Sequence, residues 1–174
     1  MFILEYKIPK EVREVLKRWS VQEFEEEIAE VEGQIKLDFN GARYGYIDEE
    51  DSAFYNKFLI CWFKRLNECC ELLKTSKYVA FNMPETNNLW MEMKVIEDKM
   101  FIQRTSLFRN VLTSYVVDSP YEDFEYYDWK NVVIKKSEFI NEVEKVTKEF
   151  VDEIRELNVD LLDSEVFKEL MKNT

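Results

Sequence analysis

Apolar residues recur at helical spacing between Ser52 and Lys74, at Tyr55, Phe58, Leu59, Trp62, Leu66, Cys69 and Leu73. From Phe58 to Phe63 every residue is apolar, so this helix should be covered on most sides and form the core of the molecule. Asp48, Glu49, Glu50 and Asp51 precede it, where carboxylates suit the positive end of the helix dipole. Asp51 or Ser52 is placed to cap its free amides. A second long helical stripe runs through Phe139, Ile140, Val143, Val146, Phe150, Val151, Ile154 and Leu157, with Ser137 as its cap and Asn158 as its stop. A shorter stripe, Val12, Val15, Leu16 and Trp19, follows Pro9. Ser20 and Glu23 then have the spacing of a capping box, with Trp19 and Phe24 placed as a hydrophobic staple. A last short helix, capped by Asp163 or Ser164, turns Val166, Phe167 and Leu170 inward.

Two-residue alternation marks the strands. Phe2, Leu4 and Tyr6 alternate with Ile3, Glu5 and Lys7. Ala29, Val31, Gly33, Ile35, Leu37 and Phe39 share one parity, so strand character is expected from near Ile28. Asn40-Gly41 is a preferred two-residue hairpin loop. Closing it pairs Phe39 with Ala42, Leu37 with Tyr44 and Ile35 with Tyr46 on one face, and Asp38 with Arg43 on the other. Tyr78 to Met83 reads as a strand ended by Pro84. Leu89, Met91, Met93 and Val95 alternate in the next, and a turn at Glu97-Asp98 sets Val95 opposite Met100 and Met93 opposite Ile102. Val111 to Val117 and Val132 to Ile134 complete the set. The pattern predicts one α+β domain over residues 1–174, an antiparallel sheet with helices packed mainly against one face.

Charge changes the picture of what the domain meets. The chain has 24 basic and 36 acidic residues, a formal net charge of −12. Direct binding to nucleic acid is unfavourable, because contacts to phosphates need Lys and Arg to displace counterions. A basic partner is attracted and its association accelerated. Cys61, Cys69 and Cys70 all fall in the core helix, an arrangement that suits buried small side chains in a reducing compartment. The start lacks the pattern of a signal peptide and no apolar run approaches a membrane span, so a cytoplasmic chain without membrane contact is expected; the sequence leaves its oligomeric state open, with a monomer favoured.

The usual catalytic parts are missing. There is no histidine, which removes the commonest general base and metal ligand. Gly33, Gly41 and Gly45 form no phosphate-binding loop, and the cysteines lack zinc-site spacing. No catalytic, cofactor-binding or metal-binding residue is assigned. Two carboxylate clusters stand out: Glu23, Glu25, Glu26, Glu27, Glu30 and Glu32, and the run Asp48 to Asp51. They would suit a hard cation such as Mg²⁺ or Ca²⁺, but lack the spacing and turn glycine of a Ca²⁺ loop; the plainer reading is a solvated acidic face. The stretch Tyr121 to Trp129 interleaves Glu122, Asp123, Glu125 and Asp128 with five rings. Phe124 and Trp129 are expected in the core. Five rings in nine residues cannot all face inward, so the remaining tyrosines among carboxylates form a candidate anchor for a basic protein.

Several segments together resemble the small immunity proteins of bacterial polymorphic-toxin and contact-dependent inhibition systems. They are Gly-Gln-Ile-Lys-Leu-Asp-Phe-Asn-Gly-Ala-Arg-Tyr-Gly-Tyr-Ile from Gly33, Cys-Trp-Phe-Lys-Arg-Leu from Cys61, Tyr-Val-Ala-Phe-Asn-Met-Pro-Glu-Thr from Tyr78, and Phe-Val-Asp-Glu-Ile-Arg-Glu-Leu-Asn ending at Asn158. The resemblance implies a cytoplasmic, non-enzymatic inhibitor that binds a cognate toxin domain stoichiometrically, often a nuclease with a basic groove. It carries over no contact residues. The composition instead nominates Tyr121, Asp123, Glu125, Tyr126, Tyr127 and Asp128, together with Asp48, Glu49, Glu50 and Asp51, as partner-binding residues. Two alternatives stand beside it: a carboxylate enzyme using a divalent cation, and a phage-type acidic mimic of nucleic acid acting on a host DNA-binding protein.

Overall fold

The computed structural model describes residues 1–48, 57–86, 88–108, 114–126, 129 and 132–172. In chain order the elements are β1 (Phe2–Lys7), α1 (Lys10–Leu16), α2 (Val21–Glu27), β2 (Glu32–Phe39), β3 (Ala42–Gly45), β4 (Lys57–Phe58), α3 (Leu59–Leu73) and β5 (Tyr78–Asn82). They continue with β6 (Leu89–Ile96), β7 (Lys99–Ser106), β8 (Val116–Val117), β9 (Glu125–Tyr126), β10 (Val132–Lys135) and α4 (Lys136–Leu157). A 3₁₀ turn (Val159–Asp163) and α5 (Glu165–Met171) follow.

The fold is α+β, and its antiparallel strands divide between two sheets. In the first, β2 is central: β1 pairs along one side, and β3 and β4 pair with different parts of β2. The second has the order β10-β7-β6-β5-β8, with β9 added at the end of β7. Helices α3 and α4 pack on each other; α3 also meets β2 and β5, and α4 meets β1 and β10. Met91, Met93, Val95, Val79, Phe81, Met100 and Ile102 point from the larger sheet into the main core. Rings fill the space between the layers: Phe63 stacks on Phe150 at 4.7 Å, and the edge of Tyr6 meets both.

Local chemistry accounts for much of this. Asn40 and Gly41 both take positive φ, at 54° and 98°, which the tight hairpin turn requires. Phe39↔Ala42, Leu37↔Tyr44 and Asp38↔Arg43 are paired as the pattern predicts, and Arg43 Nε reaches Asp38 Oδ2 at 2.7 Å. The predicted Ile35–Tyr46 pair does not form. The ladder ends at Lys36↔Gly45, where Gly45 turns away with φ 71°, and Tyr46 is exposed. Val95↔Met100 and Met93↔Ile102 match the expected register. Gly33 is needed for space: a Cβ there would meet Leu59 Cδ1 at 2.4 Å and the Lys7 carbonyl at 2.6 Å.

Helix starts depart most from the pattern. The core helix begins at Leu59, not near Ser52, because Lys57 and Phe58 are drawn into pairing with Gly33 and Glu32. Its N-cap is Phe58; the expected caps, Asp51 and Ser52, lie with 49–56 outside the described residues. The Ser20–Glu23 capping box is present, and Trp19 packs 6.1 Å from Phe24. Strand character begins at Glu32 instead of Ile28, because Ile28 is the C-cap of α2 and Ala29 turns with φ 49°. Ser137 does not cap α4. Strand β10 runs straight into the helix with Lys135 as N-cap, and the Lys136 amide is bonded to the Asp98 carbonyl at 2.9 Å. Asn158 ends α4 as expected, and its Nδ2 donates to the carbonyls of Leu16 and Trp19. Ser164 is the N-cap of α5, though its hydroxyl donates backwards to Leu161. Of the strand expected from Val111, only Val116–Val117 is seen, and 111–113 lie outside the described residues.

Candidate protein-binding surface

The outer face of the larger sheet carries side chains opposite in parity to its core-facing ones. Ala80, Trp90, Leu107 and Phe124 bury one another there in a second, smaller apolar cluster. Trp90 is the hub: Tyr121 meets it edge-on at 5.6 Å and Phe124 lies at 5.7 Å. This cluster clamps the 121–126 segment onto the sheet. Strand β9 then aligns Tyr126 with Thr105 and Glu125 with Ser106. Asp123 and Glu125 are exposed, and Tyr126 is 49% exposed.

Beneath Tyr126 lies Glu92, only 1% exposed. The Tyr126 hydroxyl donates to Glu92 Oε1 at 3.3 Å, and Lys94 Nζ stands 3.2 Å from Glu92 Oε2. The same ammonium lies 5.8 Å from the Tyr126 ring centroid and 6.0 Å from that of Tyr78. Burial and the neighbouring Glu92 raise the Tyr78 and Tyr126 phenols above their ordinary range. Neither is therefore activated as a base or nucleophile at neutral pH. Burial likewise raises the thiols of Cys61, Cys69 and Cys70. The cluster fixes the position of Tyr126 and keeps its phenol neutral.

The predicted partner-binding residues are only partly brought together. Tyr121 is half-buried as a wedge against Trp90; Asp123, Glu125 and Tyr126 are exposed on the same short segment, with Glu125 and Tyr126 at opposite parity in β9. Tyr127, Asp128, Glu49, Glu50 and Asp51 lie outside the described residues. Asp48 lies beside the other sheet: Lys7 Nζ donates to its carbonyl at 2.6 Å and its amide donates to Gln34 Oε1 at 2.8 Å. Phe124 is buried as expected. Trp129 packs against the main core, 6.0 Å from Phe39, with the Arg104 guanidinium 5.5 Å from its ring.

The sequence pattern alone does not single out Glu92 and Lys94. The available signal was parity: a glutamate between Met91 and Met93 must face away from the core those methionines enter. In the sequence Glu30 is one member of an acidic run. It is instead half-buried, with Oε1 accepting from Val31 and Ile60 and Oε2 from Cys61. Burial pushes its carboxyl up to about 7, against the pull of those three donors. A carboxylate so engaged serves the helix end; its lone pairs are already directed at protein amides.

Among the described residues, no group of three or more cysteine, aspartate or glutamate side chains is arranged to hold a metal ion. No helix among them is long and apolar enough to cross a membrane. Compared with family models, with curated proteins and with solved structures, the chain finds no match.

Proposed function

We propose that this chain is a non-enzymatic binding protein that neutralises a basic protein partner by stoichiometric contact, in the manner of an immunity protein acting on a toxin domain. The observation that carries the reading is the outer rim of the larger sheet. There Tyr126 stands half-exposed on a segment whose Asp123 and Glu125 are also exposed, and it is held in place by Trp90, Phe124 and buried Glu92. A preformed aromatic anchor beside carboxylates suits a partner presenting Lys and Arg, because little ordering entropy is lost on docking. The net charge of −12 steers such a partner from a distance. A cytoplasmic site of action and a toxin with a nucleic-acid-binding groove belong to the same proposal.

A carboxylate enzyme would need acids that converge. The groove between α1 and α2 has four glutamates among its lining residues, but they surround an apolar floor, and no three described acids can share a cation. The neutralising role is tested by co-expressing the chain with the protein encoded immediately upstream of it. The expected result is a one-to-one complex that survives purification and restores growth where the upstream protein alone arrests it. Growth restored at a small fraction of one equivalent, with no complex, would indicate turnover and overturn the proposal.

A further inference from the structure

Helix α1, the end of α2 and the start of β2 enclose an open groove of about 340 Å³. Its apolar lining is Val12, Val15, Leu16, Trp19 and Ile28. Leu16 is buried, but Val15 and Ile28 are each 42% exposed, so the groove presents apolar surface that the described fold leaves uncovered. On α1 the lining residues Glu11, Val12, Val15 and Leu16 fall on one helical face, and Trp19 follows just beyond its end. The remaining lining residues are Glu27, Glu30 and Glu32, and among the described residues no basic side chain lines the groove. Two nearby cations are engaged elsewhere: Arg13 of α1 binds Glu153 and the Ile8 carbonyl, and Lys17, the C-cap of α1, binds Glu14.

We infer that this groove is a docking site for an amphipathic helix of a basic protein, with an apolar face flanked by Lys or Arg. The charge pattern selects this occupant. An apolar strip bordered by carboxylates matches a helix whose leucine-like anchors at i, i+3, i+4 and i+7 are flanked by cations. A second copy of this chain would bring another −12 of charge onto an acidic rim. A small apolar ligand would gain nothing from Glu11 and Glu27. The site is built on α1 and α2, apart from the Tyr126 rim on β9, and the two stand or fall separately.

The experiment uses a synthetic helical peptide with leucine at i, i+3, i+4 and i+7 and lysine between, titrated into the full chain and followed by calorimetry and amide chemical shifts. Saturable binding is expected, with shifts centred on Val12 to Trp19 and Ile28. Val15→Asp with Ile28→Asp should weaken it at least tenfold, even though both changes make the protein more acidic. General electrostatic attraction predicts equal or tighter binding by that variant, and this result would overturn the inference. So would equal binding of a scrambled peptide of the same composition, or of a counterpart with glutamate in place of lysine. Sedimentation of the unliganded chain closes the remaining route: a dimer dissolved by Ile28→Asp would name a second copy as occupant and overturn the inference. Should the double aspartate variant fail to give the parent circular dichroism spectrum, Val15→Ser with Ile28→Ser makes the same comparison.

Discussion

The Glu30 carboxylate accepts the Ile60 amide at 2.6 Å, and thereby caps the core helix from a residue 30 positions earlier in the chain. Its other oxygen takes the Cys61 amide at 2.9 Å. The core helix has no side-chain cap of its own, so its first turn is closed by a tertiary contact.

That arrangement has a pH signature. Burial raises the folded Glu30 carboxyl from its ordinary 4.5 to about 7. The folded state therefore holds this proton more tightly than the unfolded chain. Its contribution is full below 4.5, declines as pH rises towards 7, and is flat above. Relative to Glu30→Gln, the parent should lose about 1–3 kcal/mol between pH 4.5 and 8. Urea midpoints of both proteins across that range check the sign. A parent that gains on the variant with rising pH would mean the ionised cap is the preferred form.

Asn67 and Thr147 join the two long helices. Asn67 Nδ2 donates to Thr147 Oγ1 and to the Phe63 carbonyl, both at 2.8 Å, and all are buried. Thr147→Val should cost about 1–3 kcal/mol, since it leaves a buried amide donor without its acceptor. Asn67→Leu with Thr147→Val should recover most of that loss. A double-mutant cycle on urea midpoints reads the coupling.

Trp62 is fully buried, with its Nε1 donating to Glu85 Oε2 at 3.2 Å and its ring 5.4 Å from that of Tyr44. Trp62→Ala should destabilise by about 3–5 kcal/mol, the range for emptying a large aromatic site. Chemical denaturation at unchanged m checks it. A near-neutral result would remove α3 from the centre of the core.

What the sequence disclosed, and what it withheld, divides along the range of the interactions. Asn40-Gly41 specified its hairpin because turn geometry and side-chain parity act within a few residues. The Ser20–Glu23 box was legible for the same reason. The start of α3 was not. Its position depends on Phe58 joining β2 and on Glu30 and Glu85 reaching its first amides, and none of these is written locally. Division of the strands into two sheets is likewise a tertiary choice. At the candidate surface, the sequence nominates Asp123, Glu125 and Tyr126, and all three are exposed. It did not show that Glu92 and Lys94, on a different strand, hold Tyr126 in place.

Lys94 is the cation beside buried Glu92. Lys94→Met should cost about 1–3 kcal/mol, less than for a deeply buried pair because half of Lys94 is exposed to solvent. Lys94→Arg should retain most of the stability. Thermal unfolding of the two variants at neutral pH distinguishes loss of charge from loss of shape.

The binding proposal separates two kinetic effects on one small rim. Asp123 and Glu125 are exposed and act at a distance, whereas Tyr126 must touch. Asp123→Lys with Glu125→Lys should therefore slow association with the captured partner and flatten its salt dependence, leaving dissociation nearly unchanged. Tyr126→Ala should speed dissociation, at a cost of about 2 kcal/mol or more if the ring is a central anchor. Tyr126→Phe is the needed control. It keeps the ring but removes the hydroxyl that donates to Glu92, so any effect of the lost hydrogen bond on the sheet appears in both tyrosine variants. Surface-binding kinetics at several ionic strengths, with circular dichroism of each protein, separate the effects. If Tyr126→Ala and the double lysine variant both fold and bind as the parent does, the partner docks away from β9, and the groove between α1 and α2 is the surface to examine next.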